Sequence, residues 1–176
     1  MNKPEGWRVP VHLENVADTG LHLDLDADEE VRARLAALAG VRSVSRLSVS
    51  ADLSGHGDGL RASGRVTATI GQTCVVTLEP LENSVDEAFD VLFLPQGAAG
   101  DGSVSVPAAA DEVDDTRETL VDGTADLGAL ATEFFLLGID RYPRKPGAVF
   151  APPVEDRAAD SPFAVLARLK SSGDEG

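Results

Sequence analysis

The chain has 176 residues, 43% of them hydrophobic, and a formal net charge of −15. This length allows one ordinary hydrophobic core, and the charge disfavours naked nucleic acid as a direct ligand. A single cysteine excludes an intramolecular disulfide, and residues 1–25 lack the basic start and apolar run of a secretory signal, so we expect a cytoplasmic protein. No stretch approaches the roughly 20 apolar residues that span a bilayer, and we expect no membrane contact.

The first part of the chain predicts two strands and a helix. Apolar and polar residues alternate over 7–13 and again over 21–25, and we expect these two half-buried strands to pair as a hairpin. Residues 27–39 then place apolar side chains at helical spacing, with Asp26 suited to the N-cap and Gly40 to the end of the helix. Capping explains the aspartates around this helix start, so we predict no metal site there.

The middle of the chain predicts the clearest hairpin. Alternating residues over 46–53 and 60–70 flank a glycine-rich turn at 54–59. A compact apolar run that ends at Leu94 predicts a further buried strand. The second strand of the hairpin carries small residues at inward-facing positions, namely Ala62, Gly64 and Ala68. These residues leave room for a ligand cavity inside a barrel, or they allow a helix to pack closely.

Acidic residues are concentrated in one part of the chain. Residues 86–133 contain twelve acids and one base, a net charge of −11. Within this region, residues 96–116 are mostly small or acidic and have no apolar pattern that could bury surface, so we predict a mobile acidic loop. Such a loop could serve solubility alone, or it could dock a basic partner.

A second amphipathic helix is predicted over Leu127–Leu137, because apolar residues recur there at helical spacing after a suitable N-cap, Asp126. A basic cluster with one aromatic follows, made of Arg141, Tyr142, Arg144 and Lys145. This cluster could contact RNA or a peptide, or its cations could offset the C-terminal dipole of the helix.

Together these patterns predict an α+β protein with a strongly bent antiparallel sheet or partly closed barrel of about six strands, two main helices and a short C-terminal helix. We expect a single domain over 1–146, a linker rich in Pro and Ala over 147–160, and the short helix over 161–170. An apolar stripe that includes Phe163 and Leu166 makes this last helix a candidate interaction element.

Cys74 is the natural candidate for a thiol-dependent enzyme, because it is the only cysteine. It lies beside Val75 and Val76, and free cysteines in such apolar surroundings are usually buried, whereas a reactive thiol needs exposure and a nearby positive charge. The histidines fall on or near other predicted elements, so we predict no metal, no cofactor and no catalytic residue. The thiol enzyme and a small-ligand-binding barrel are the two alternatives to a noncatalytic binding protein.

Three segments, taken in order, resemble the YceD family, also called DUF177. They are Cys74 to Pro80, where we expect Leu78 to pack and Glu79 to be free for a partner; Asp126 and Leu127 through Glu133 to Leu137, followed by Tyr142 and Pro143; and Pro162 to Leu166. Many family members are similar to C-x-x-C-L in the first segment, whereas this chain has Thr77 at the second cysteine position. Any metal or redox chemistry of a cysteine pair would therefore be lost here.

The resemblance implies a noncatalytic factor that supports accumulation of the large-subunit (23S) ribosomal RNA and ribosome biogenesis. It brings no established catalytic residue and no cofactor. We expect the chain to act through protein contacts, with a basic ribosomal protein or a precursor of the large subunit as the partner. Direct contact with rRNA is left open, and it would use Arg141, Tyr142, Arg144 and Lys145.

Overall fold

The computed structural model describes residues 6–95 and 116–150. These residues form an α+β fold, which confirms the predicted class. Its elements are β1 (Pro10–His12), a single 3-10 turn (Leu13–Asn15), β2 (Leu21–Asp26), α1 (Glu29–Ala39), β3 (Ser43–His56), β4 (Gly59–Thr73), β5 (Pro80–Pro95), β6 (Thr116–Leu120), β7 (Thr124–Asp126) and α2 (Leu127–Leu137). Neither helix in this part of the chain is long and apolar enough to cross a membrane.

The strands form two sheets, one of five strands in the order β2-β3-β4-β5-β6 and one that pairs β1 with β7. Neighbours from β2 to β5 are antiparallel, as predicted, but β6 runs parallel to β5, so the larger sheet is mixed. Because β2 and β6 lie at opposite edges, the five described strands form an open sheet, and the predicted barrel is not confirmed. Residues 6–95 and 116–150 alone contain seven strands, against about six predicted for the whole chain.

The predicted hairpin of the first two strands is wrong. Val11 of β1 faces Ala125 of β7, whereas Leu23 of β2 faces Ala51 of β3. Alternation specifies which side chains of a strand are buried, but it does not specify the partner strand. The short β1 therefore joins the segment that leads into α2, far away in sequence.

The hairpin of β3 and β4 is confirmed and forms the centre of the sheet. Its pairing runs from Ser43 opposite Gly71 to His56 opposite Gly59, with one irregularity after Val44. Gly57 makes the turn with a φ of 59°, a backbone conformation that favours glycine. These strands are longer than predicted, and the far end of β4 leads directly into Cys74.

One face of the large sheet is buried beneath the helices, and the other is exposed and polar. The space that small residues leave on the buried face is filled by Phe89, which lies opposite Gly64. A Cβ atom at position 64 would lie 2.8 Å from the Phe89 Cζ atom. The Phe89 ring also packs on Phe134 of α2, with ring centroids 5.6 Å apart. Core packing, in which Phe89 lies between Gly64 and α2, is therefore a better explanation of Gly64 than a ligand cavity.

The helix boundaries follow from their caps. In α2 the prediction is confirmed, since the Asp126 carboxylate accepts hydrogen bonds from the N–H groups of Gly128 and Ala129. In α1 the predicted N-cap is wrong by two residues, because the cap is Asp28, whose carboxylate accepts from Val31 N–H at 2.7 Å. Both aspartates suit the role, and the tertiary path of β2 into the helix selects the second.

Contacts along the chain divide it into two compact units, Met1–Pro146 and Gly147–Gly176. The described elements all belong to the first unit. Most of the predicted acidic loop, from residue 96 to 115, lies outside the described residues, as do most of the linker and the whole of the 161–170 helix. Thr116, the last residue assigned to the acidic loop, begins β6.

Candidate functional site

Cys74 to Glu79 form a tight loop between β4 and β5. The Cys74 N–H donates to the Glu79 carbonyl oxygen at 2.9 Å, and the Leu78 N–H donates to the Cys74 carbonyl oxygen at the same distance. Pro80 follows as the first residue of β5, opposite Thr73 of β4. The loop is thus closed by its own backbone and held at the ends of two paired strands.

The Cys74 thiol is fully buried, as predicted, but its surroundings are not simply apolar. Its Sγ atom accepts hydrogen bonds from the backbone N–H of Lys145 at 3.3 Å and of Thr77 at 3.4 Å. These donors, with the Lys145 N–H contributing most, lower the pKa of the Cys74 thiol from 9.0 to about 6. The sulfur therefore serves as a buried acceptor that joins two segments of the backbone.

A second loop, from Asp140 to Lys145, lies against the first. Its Pro143 carbonyl oxygen accepts a hydrogen bond from the Val75 N–H at 2.9 Å. The Lys145 ammonium donates to the Glu79 carboxylate at 2.9 Å and lowers the pKa of that carboxyl group. Glu79, which we predicted to be free for a partner, is therefore engaged within the chain.

Two polar residues that the sequence reasoning missed hold the second loop in place. Gln72 is buried, and its Nε2 donates to the Asp140 carbonyl oxygen at 2.7 Å. Its Oε1 accepts from the Asn83 side chain at 2.7 Å. The sequence contained a signal for Gln72. It follows Ala68 and Ile70 at every second position of β4, the phase in which side chains are buried. A polar side chain in that phase needs a buried partner.

Side chains from the two loops reach solvent together. Leu78, which we predicted to pack, is 76% exposed and has a φ of 59°, uncommon for a residue other than glycine. Tyr142 is 74% exposed and Val75 is 45% exposed. We call the exposed set the loop-pair surface, and its members are Val75, Leu78, Arg141, Tyr142 and Arg144.

Some charged groups around the loop-pair surface form ion pairs, and others do not. Arg141 and Arg144 are exposed and have no ion pair with any residue of the described ranges. Lys145 is neutralised by Glu79, and the Asp140 carboxylate accepts the Tyr142 N–H at 2.8 Å. The two unpaired guanidinium groups therefore stand on either side of the exposed aromatic in the chain.

The other predicted site residues lie elsewhere. Asp126 caps α2, Leu127 is buried and Glu133 is exposed on that helix. Asp126 and Asp140 flank opposite ends of α2, whose eleven residues span about 16 Å, so the structure does not bring Asp126 to the loop-pair surface. Phe163 and Leu166 lie outside the described residues.

Residues 6–95 and 116–150 do not form a site for either alternative, the thiol-dependent enzyme or the small-ligand-binding barrel. They contain no group of acids, histidines or cysteines that could hold a metal ion. His12 contacts Thr124 and His22 contacts Asp52, so neither forms a pair with Cys74. An open groove of about 730 Å³ lies beside α2 and is lined by Trp7 and Leu130 among others; it is not the enclosed pocket that a ligand carrier requires.

The comparison with protein families gives a match over residues 62–170 to YceD, described as large ribosomal RNA subunit accumulation protein YceD. This range covers more than half of the chain. The chain belongs to the YceD family. The match includes both loops of the loop-pair surface, and it confirms the resemblance to the YceD family seen in their motifs. The comparisons with curated proteins and with solved structures found no match.

The YceD family description points to accumulation of the large-subunit rRNA. The segment that carries the family resemblance at Cys74 to Pro80 and the one at Tyr142 and Pro143 are distant in sequence but joined by hydrogen bonds in the structure. The departure at Thr77 also has a structural counterpart. Its backbone N–H donates to Cys74 Sγ, so the turn forms without a second cysteine.

Proposed function

We propose that this YceD-family chain is a noncatalytic factor that supports accumulation of the large-subunit (23S) rRNA by binding a precursor of the large subunit. The observation that carries the proposal is the joining of two family segments, Cys74–Pro80 and Tyr142–Pro143, into one exposed surface. A surface assembled by backbone hydrogen bonds is preorganised, so less conformational entropy is lost when a partner binds. The family description supports the process.

The chemistry of the loop-pair surface favours binding over catalysis. Its exposed groups are two aliphatic side chains, a phenol and two guanidinium groups, which can pack against a partner and donate hydrogen bonds to it. The Cys74 thiol, whose pKa is lowered to about 6, is buried beneath these groups. Binding is therefore the function that the accessible groups support best.

A basic ribosomal protein is the partner that we propose for the acid-rich part of the chain. Asp86 and Asp90 pair with arginines of β4, and Asp126 caps α2, so these three acids serve the fold. The other acids of residues 86–133 then supply the charge for such a partner. Because β6 begins at Thr116, the test should neutralise Asp101, Asp111, Glu112, Asp114 and Asp115 to amides rather than delete them. Unchanged recovery of large-subunit proteins in a pulldown would contradict this partner.

The process is tested by depleting the protein from its own cells and quantifying 23S and 16S rRNA. We expect 23S rRNA to fall selectively and sedimentation profiles to lose large subunits, with both defects rescued by the wild-type chain. Rescue by Ser84→Ala, on the exposed sheet face, together with failure of a variant that carries Leu78→Ser and Val75→Ser, would support a binding role for the loop-pair surface. Normal 23S rRNA after depletion would contradict the proposed function.

A further inference from the structure

We infer that the loop-pair surface binds single-stranded RNA, with one unpaired base stacked on Tyr142 and the adjoining phosphates contacted by Arg141 and Arg144. This inference rests on the proposed function, because it names the component of the precursor particle that this surface recognises. It is carried by the exposure of Tyr142, by the two exposed arginines that flank it in the chain, and by the hydrogen-bonded backbone of the two loops.

The aromatic is displayed from a rigid support. The Tyr142 N–H is held by the Asp140 carboxylate at 2.8 Å, and the next residue, Pro143, is buried and accepts the Val75 N–H. The Lys145 N–H is held by the Cys74 sulfur. With the backbone pinned on both sides of a side chain that is 74% exposed, a base can stack on the ring without first ordering the loop.

The arginines of this surface differ from the three arginines that form ion pairs within the described residues. Arg61 and Arg65 on β4 pair with aspartates of β5, and Arg34 pairs with Glu30 along α1. Arg141 and Arg144 have no such partner among the described residues. Because guanidinium groups match phosphate geometry, unpaired arginines beside an exposed aromatic suit a nucleotide.

The rest of the chain limits the size of the RNA contact. With a net charge of −15, it repels phosphates outside a small area. Within the two loops, the carboxylates of Asp140 and Glu79 also oppose phosphate, although Lys145 pairs with Glu79. The footprint should therefore cover few nucleotides, and the chain should bind RNA weakly by itself and more firmly when a precursor particle presents the segment.

Single-stranded RNA fits this surface better than duplex RNA or a protein. In an A-form duplex the bases are stacked on one another, so none is free to stack on Tyr142. Stable protein interfaces bury about 800 Å² on each partner around a large apolar centre. Here Val75 and Leu78 add only a small apolar margin on the neighbouring loop, which suits a base and its sugar.

The test is fluorescence anisotropy of the full chain at low salt with a labelled single strand of about eight mixed nucleotides and a duplex of the same sequence. We expect Tyr142→Ala to weaken binding of the single strand by about five-fold or more, and Tyr142→Phe to retain it. With two phosphates contacted, the slope of log K against log salt should be about −1.4, and Arg141→Gln or Arg144→Gln should each reduce its magnitude by about 0.7. Arg46→Gln, on the exposed sheet face, is the matched control and should change nothing.

Two sets of binding results would overturn the inference while leaving the proposed function intact. One is the absence of binding to the single strand by a wild-type chain that restores 23S rRNA in depleted cells. The other is binding that is unchanged in Tyr142→Ala, or equal for the duplex, when circular dichroism shows the variant to be folded. Crosslinking of position 142 to protein alone within precursor particles would also overturn it, whereas crosslinking to rRNA would support it.

Discussion

The backbone N–H of Lys145 donates to the Sγ atom of Cys74 at 3.3 Å, which links residues 71 positions apart through one sulfur. This bond, with that from Val75 to Pro143, makes the two loops a single surface. The chain's only cysteine therefore has a structural role that can be measured without any assay of function.

The stability of the protein should depend on the ionisation of Cys74. The pKa of Cys74 is about 6 in the folded protein, against an ordinary value of 9.0, so the unfolded state binds more protons between these values. The thiolate's contribution to the free energy of unfolding should therefore be fully present above pH 9 and lost as the pH falls through about 6. Urea unfolding of the wild type and Cys74→Ala across this range measures it. The difference between the two proteins should grow with pH, and parallel curves would contradict the bonds to sulfur.

Chemical labelling separates a low pKa from reactivity. Cys74 has no exposed surface, so iodoacetamide should modify it slowly in the native state, even at a pH at which it is ionised, and rapidly in urea. A burst of labelling in the native protein would favour the thiol-enzyme alternative instead. If burial controls the rate, a small reagent and a bulky one should both label the unfolded protein faster than the native protein.

Gln72 should be a positioning residue for the loop-pair surface. In Gln72→Ala, the Asp140 carbonyl oxygen and the Asn83 amide both lose their partner, and leaving such groups unpaired costs about 1–3 kcal/mol. Chemical denaturation measures the loss, with Ser84→Ala on the exposed sheet face as the control. Hydrogen exchange at the Lys145 N–H should also accelerate in Gln72→Ala. A loss of stability with no change at this N–H would mean that Gln72 does not position the loop.

Gly64 should be intolerant of a side chain. A Cβ atom there would meet the Ser50 carbonyl oxygen most closely and would lie 2.8 Å from Phe89 Cζ and 2.9 Å from Ala51 Cα, so Gly64→Ala should overpack the core and destabilise the protein by about 1–3 kcal/mol. Gly55→Ala, on the adjacent strand, is a suitable control because no atom lies within 4 Å of its Cβ position. Equal melting temperatures for the two variants would refute the packing of Phe89 against Gly64.

Asp126 should matter more than an ordinary helix cap. Its Oδ1 accepts from two N–H groups of α2 at 3.1 Å and from the Val9 N–H at 3.0 Å, so it also attaches the entry of β1 to the helix. Asp126→Ala should cost at least the usual loss of about 0.5–2 kcal/mol for an N-cap. Asp28→Ala, which loses one side-chain bond in α1, should cost less. Equal losses would show that the Val9 bond contributes nothing.

Local patterns specified the elements whose signals lie within a few residues of each other. The apolar spacing from Leu127, with a capping aspartate before it and Gly138 after it, gave both boundaries of α2. The glycine-rich turn between two alternating runs gave the hairpin of β3 and β4. In both cases the element forms within one continuous stretch of chain, so the local pattern and the structure carry the same information.

Pairing between distant segments was not specified in this way. Nothing in β1 indicates Ala125 as the partner of Val11, and nothing in Thr116–Leu120 indicates parallel pairing with β5. The exposure of Leu78 was missed for a related reason. An apolar residue in a loop is expected to pack, but here backbone bonds close the loop and leave the side chain outside.

For this protein, the sequence by itself determined the α+β class, the second helix, the central hairpin and the family to which the chain belongs. All of these depend on short-range periodicity or on contiguous motifs. Only the tertiary structure decided that the Cys74 loop and the Tyr142 loop form one surface, because the bonds that join them run between backbone atoms and a buried sulfur. Backbone N–H and carbonyl groups are the same in every residue except proline, so their partners cannot be read from residue identity.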